Sequence, residues 1–166
     1  MEITRTYRDQ GAIGALLDEY ERALEELVTL LKGVSTDQLV KIVDTQSQDE
    51  DCRSIQTILT HVVQSGYTYV VEIRKWLGED AAYREKVIHA TVEAYVQALG
   101  QMFAFNEQLF LDHPKIVLET YAVEGKIKVR WGQFYDVEQL FEHAIVHILR
   151  HRRQIERFLI RLEGPN

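Results

Sequence analysis

DVEQLFEHAIVHILRHRRQIERFLIRLEGP, residues 136–165, is the stretch on which the fold turns. Asp136 is suited to cap a helix, and Gln139 stands three positions on, where a capping-box partner belongs. Val137, Phe141, Ala144, Ile148, Ile155 and Leu162 fall on one side at helical spacing, and Gly164-Pro165 is a fitting stop near Leu162. The same segment carries His143, His147 and His151 at i, i+4 and i+8. Side chains four apart share one helical face, about 40° apart in angle and about 6 Å in rise.

Working outward, the rest of the chain reads the same way. Only Pro114 and Pro165 occur, and neither interrupts a long periodic segment. A first helix is predicted over Ala12–Leu31, with Ile13, Leu16, Leu17, Tyr20, Leu24, Leu27, Val28 and Leu31 on one stripe and Gly33 beyond it. TQSQDEDCR, Thr45–Arg53, reads as a connection. A second helix is predicted from Ser54 to about Leu77. From Ser54 to Val71 it has no Asp, Glu, Lys or Arg, which predicts burial nearly all round. One side of it is small and polar, with Thr57, His61, Gln64, Ser65 and Thr68, and suits a pocket lining. A third helix is predicted over Thr91–Asp112 and ended by His113-Pro114, since proline disfavours helical backbone in the residue before it. KIVLETYAVEGKIKVRWGQF, residues 115–134, alternates around Glu124-Gly125 as a short hairpin or an extended loop. The expectation is an all-α four-helix bundle, with residues 1–166 as a single domain.

The totals narrow the function classes. The 166 residues are 46% apolar and 27% charged, with a formal net charge of −7, an ordinary balance for a soluble globular domain. No apolar run approaches the roughly 18–20 residues that span a bilayer, so no membrane partner is expected. MEITRTYRDQGAIG has no apolar core of a secretion signal, and the single cysteine, Cys52, allows no disulfide framework, which fits a cytoplasmic location. An acidic chain repels phosphate backbones unless its cations are segregated. The one basic cluster, Arg150, Arg152, Arg153, Arg157 and Arg161, reads as a solvated face near a helix C-terminus. Nucleic acid is therefore not expected. An anion-binding module built on those arginines is the least favoured reading.

By spacing alone, either His143/His147 or His147/His151 can share one metal ion. The apolar stripe separates them. At about 100° per residue, His151 lies roughly 40° off the inward axis, His147 roughly 80° and His143 about 120°, towards solvent. His147 and His151 are the expected pair. His61, the only group in the charge-free stretch that can carry a positive charge, is the natural third ligand, because an uncompensated imidazolium there is costly. Three histidines with a fourth position open to water or substrate is the arrangement of a catalytic metal. His89 and His113 read as surface residues and Cys52 as an inert thiol. No Glu-x-x-His, His-Glu-x-x-His, glycine-rich phosphate loop or Gly-x-Ser-x-Gly is present. Tyr67, Tyr69, Tyr135 and Glu142 are candidates for a general base, and none stands out, so no catalytic residue is assigned.

HAIVHILRHRRQIERFL, His143–Leu159, resembles the last helix of DinB-like (YfiT-like) proteins, where a histidine is followed after three residues by His-Arg-Gly-Gln. His147 matches the first histidine and His151-Arg152-Arg153-Gln154 the rest, with arginine for glycine at Arg153. His61, in SIQTILTHVVQSGY, resembles the family's second-helix histidine. The resemblance implies an up-down-down-up bundle, often dimeric, that holds zinc, nickel or a similar divalent ion through His61, His147 and His151. It also implies a small-molecule substrate, with a low-molecular-weight thiol as cosubstrate in some relatives. The expected function is a metal-dependent transferase or hydrolase. The alternative is a non-enzymatic dimeric bundle with a structural or sensory metal.

Overall fold

A helix with no charge on any side needs neighbours on every side, and the segment after Ser54 has them: no residue from 54 to 74 is exposed. The computed structural model describes residues 6–164. Among these are five α-helices: α1 (Gly11–Leu31), α2 (Thr36–Val40), α3 (Ile55–Trp76), α4 (Val92–Asp112) and α5 (Val137–Glu163). The only sheet among the described residues is a two-strand antiparallel hairpin of β1 (Ile127–Lys128) and β2 (Phe134–Tyr135). The fold is thus all-α apart from this hairpin. Among the described residues no helix is long and apolar enough to cross a membrane.

The helix starts are written in the sequence. Ser54 accepts from the Thr57 N–H and Asp136 from the Gln139 N–H, and both caps are reciprocated as capping boxes. Thr91 caps α4 through the Ala94 N–H. Each such cap is worth about 1 kcal/mol. Gly164 closes α5 at φ +79°, and Pro165 lies outside the described residues.

Packing centres on Tyr20 of α1, which is fully buried. Its ring stands edge-on to Phe103 of α4 at 5.6 Å and to Phe141 of α5 at 6.4 Å, and its hydroxyl points at the Met102 sulfur at 3.4 Å. Helix α3 meets α4 through Thr60 and Tyr95 (2.5 Å) near one end, Gly66 and Asn106 (3.2 Å) in the middle, and Arg74 and Asp112 (2.5 Å) at the other end. It meets α5 through His61 beside His147 and His151, and through Tyr69 beside His143. Arg152 of α5 pairs with Glu26 of α1.

Gly66 is the tightest of these contacts. A Cβ there would run into the Met102 side chain, which is fully buried, so the thioether would have to shift within the packed core. Overpacking costs about 1–3 kcal/mol, against a helix-propensity gain of at most about 1 kcal/mol. Gly66→Ala should therefore destabilise the fold by about 1–2 kcal/mol net, read as a lower urea midpoint with an unchanged slope.

Three features depart from expectation. Thr36–Val40 forms an additional turn of helix, α2, with a Ser35/Gln38 capping box and Leu39 fully buried. The Thr45–Arg53 connection contains a 3₁₀ turn, Glu50–Cys52, capped by Asp49. The hairpin does form, but its turn lies at 129–133, where Gly132 takes φ +93°, and Glu124-Gly125 belong to a preceding 3₁₀ turn. Between α3 and α4, residues 79–90 run without regular structure as a strap along α3. The strap is fastened by Tyr83 donating to Glu72 (2.9 Å), Gln64 donating to the Arg84 carbonyl (3.1 Å) and Gln56 donating to the His89 carbonyl (2.9 Å).

Candidate metal centre

His61 projects from α3 towards α5, where His147 and His151 project back. Their Nε2 atoms converge, with His61 to His147 at 3.0 Å and His147 to His151 at 3.2 Å. One ligand atom from each lies within 4.8 Å of the others, so the three histidines can hold a metal ion. His147 and His151 are 5% and 3% exposed, whereas the His61 side chain keeps 28%. The cluster therefore opens on the His61 side.

The outer contacts fix which nitrogens carry protons. His61 Nδ1 faces the Asp51 carboxylate at 3.3 Å, and Lys86 grips the same carboxylate at 2.5 and 2.6 Å. His151 Nδ1 faces the Gln154 Oε1 at 3.1 Å. The Gln154 amide nitrogen donates to the Cys52 carbonyl at 3.5 Å, which sets the amide oxygen towards the histidine. Both Nδ1 atoms therefore donate outward, and both Nε2 atoms turn bare lone pairs inward. His147 Nε2 carries at most one proton and can satisfy only one of them. The remaining contact sets lone pair against lone pair, an arrangement that a cation between the rings relieves. Metal–nitrogen bonds of about 2.0–2.1 Å in a tetrahedral site put ligand nitrogens about 3.3 Å apart, close to the spacing observed. The residues fit a divalent ion.

The rings are neutral for the same structural reason. Burial pushes His151 down to about 4 and His147 lower still, each further disfavoured by its neighbouring histidines. Burial also lowers His61, with Asp51 opposing. In the metal-free protein the sign of the pH effect follows directly. Below about 6.5 the unfolded chain takes up protons that folded His147 and His151 refuse, so stability falls with pH by about 1.4 kcal/mol per unit for each such group. Urea unfolding of metal-free protein at successive pH values should show a steady decline from about 6.5 to 4.

The other candidates are placed as follows. His143 does not point to solvent as the helix angle predicts: the hairpin loop and α3 cover it. Its ring stacks on Trp131 at 6.2 Å and on His147 at 6.1 Å, and stands edge-on to Tyr69 and Tyr135, each at 5.5 Å. It extends an aromatic wall beside the centre and is not one of the converging three. His89 and His113 are half-buried and not open surface, because His89, on the strap, packs against α4 and the strap's Glu79 covers His113. His89 stands edge-on to Tyr95 at 4.9 Å, and His113 pairs with Glu79. Cys52 donates weakly to Asp49 at 3.4 Å, and burial pushes its thiol up, in keeping with an inert group. Of the base candidates, Tyr67 lies under Arg84, Tyr69 is driven by burial to hold its proton, Tyr135 donates to Gln133, and Glu142 is exposed. Arg150, Arg153, Arg157 and Arg161 are exposed, and Arg152 is engaged by Glu26 and Glu156. Sequence reasoning missed Asp51 and Trp131, which lie in segments without periodicity. No protein-family model and no curated protein matches the chain.

Proposed function

We propose that the chain is a metal-dependent enzyme of the DinB-like (YfiT-like) kind, a four-helix bundle with up-down-down-up connectivity that holds one divalent ion through His61, His147 and His151. The convergence of three Nε2 atoms from two helices within 4.8 Å carries this reading. The connectivity is supported by the order of contacts. Residue numbers rise together along α3 and α4, from Thr60 and Tyr95 to Arg74 and Asp112, and run oppositely along α3 and α5, from His61 and His151 to Tyr69 and His143. The residues matching the family's helix motif are the same ones that converge, and its glutamine, Gln154, orients His151.

The chemistry in view is transfer of a small thiol to an electrophile, or hydrolysis. A divalent ion in such a site supplies Lewis acidity, lowering the pKa of a coordinating thiol or water towards neutrality. Zinc or nickel suits three imidazoles. The protein's part is positional. Asp51 and Gln154 hold two rings in the ligating tautomer, the aromatic wall of Tyr69, Trp131 and His143 shields one flank, and the half-exposed edge of His61 leaves an approach. Cobalt-loaded protein tests the open position. Adding 2-mercaptoethanol should produce a sulfur-to-cobalt charge-transfer band, and a spectrum indifferent to thiol would count against the thiol chemistry.

A non-enzymatic bundle with a structural metal is the second reading, favoured by the lack of a positioned base among Tyr67, Tyr69, Tyr135 and Glu142. His151→Ala separates the two. Loss of metal with the fold retained supports an open site, whereas loss of both supports a structural ion.

A further inference from the structure

No residue of the strap is buried, and Tyr83 to Ile88 are all exposed, Val87 and Ile88 at 60% and 68%. The strap leaves α3 through Gly78 at φ +85°, a conformation that glycine takes without strain. What holds it is a short set of polar contacts, and segments held in that way open locally at little cost. The contacts to Glu72, Gln64, Gln56 and Tyr95 do not involve the histidine cluster. The contact made by Lys86 does.

Lys86 Nζ meets both oxygens of Asp51, at 2.6 and 2.5 Å, and Asp51 Oδ2 faces His61 Nδ1 at 3.3 Å. An aspartate on a three-residue turn has other rotamers to occupy, and an ammonium on both its oxygens selects the one that faces His61. His61 is also the least buried of the three rings, so it depends most on an outer partner for its orientation. Strap order and metal binding therefore act on one carboxylate. Coupling of this kind is reciprocal: whatever the closed strap adds to metal affinity, bound metal adds to strap closure.

We infer that Lys86 is a positioning residue of the metal centre and that the strap closes as the metal binds, although it supplies no ligand. The inference rests on the reading of His61, His147 and His151 as that centre. An ion pair whose side chains are 47% and 28% exposed is worth at most about fivefold in an equilibrium. The closed strap thus raises zinc affinity about fivefold, and zinc slows hydrogen exchange in the strap by the same factor.

The test is hydrogen exchange read by mass spectrometry on the full chain, with and without saturating zinc, beside zinc affinity measured against a chromophoric chelator. In the parent, peptides covering residues 79–90 should exchange about fivefold more slowly with zinc. In Lys86→Met that slowing should vanish and zinc affinity should fall about fivefold. Peptides of α4 should keep their zinc response in that variant, because bound metal still stabilises the fold. Lys86→Arg, which keeps a cation in reach of Asp51, should restore both readings. In an Asp51→Ala background, Lys86→Met should change neither. Lys86 is exposed, so its variants should fold as the parent does. A strap indifferent to zinc in a parent that binds it overturns this inference alone, as does a strap response that survives Lys86→Met. A parent that binds no zinc overturns the metal centre and this inference together.

Discussion

Replacing His147 with alanine should abolish tight metal binding while leaving the metal-free protein folded. Its Nε2 stands between the other two, at 3.0 Å and 3.2 Å, so no pair of the remaining rings reproduces the original cradle. Structural zinc sites yield about 10–16 kcal/mol from four ligands, so one ligand accounts for about 3 kcal/mol, roughly a hundredfold in affinity or more. Zinc affinity measured against a chromophoric chelator reads that loss. Thermal unfolding supplies an independent sign. Wild-type protein at zinc a thousandfold above its dissociation constant gains about 4 kcal/mol, and His147→Ala at the same zinc concentration should gain about 1.4 kcal/mol or less. In the absence of metal the two proteins should melt within a few degrees of each other, because the imidazole is held by no other built interaction than its ring neighbours.

The second large effect belongs to Asp51, a residue outside the cluster. Its carboxylate holds the His61 Nδ1 proton at 3.3 Å and is itself fixed by Lys86 on the strap. Removing an outer partner of this kind typically costs ten- to a hundredfold in metal affinity. Asp51→Ala should fall in that range. Asp51→Asn, which keeps an acceptor but loses the charge, should recover part of it. A role in folding alone would instead lower the melting point of the metal-free protein and leave the affinity of the surviving folded fraction unchanged. Gln154→Leu, acting on His151 through its Nδ1 at 3.1 Å, should give a comparable loss. Asp51 and Gln154 both engage the Glu50–Cys52 turn, Gln154 through the Cys52 carbonyl, so the two losses should be coupled and not simply add.

What the sequence reveals and what it hides follow from one physical distinction. Helix ends marked by local chemistry are legible: Ser54, Thr91 and Asp136 cap where their side chains say they should. Burial driven by periodicity or by a missing face is legible too, as in the stripe of α1 and the charge-free start of α3. The helix angle ranks His151 and His147 ahead of His143, and those two do turn inward beside His61. It fails for the environment of His143, because the cover comes from Trp131 and Tyr135, contributed by a hairpin whose docking is a tertiary fact. Asp51 escapes notice for the same reason. Nothing in a polar nine-residue connection marks one carboxylate out of several until the 3₁₀ turn aims it. The strap is likewise silent, since its anchors, Tyr83 on Glu72 and Lys86 on Asp51, join residues with no periodic relation. The α2 turn is read only in retrospect, from a capping box too short to carry a stripe.

The most direct test is elemental analysis of untagged protein, dialysed against zinc and desalted, beside the His61→Ala/His147→Ala/His151→Ala variant treated identically. One equivalent of zinc per chain in the parent and essentially none in a folded variant is the expected result. Equal metal in both, or none retained by the parent, would contradict a centre built on these three rings.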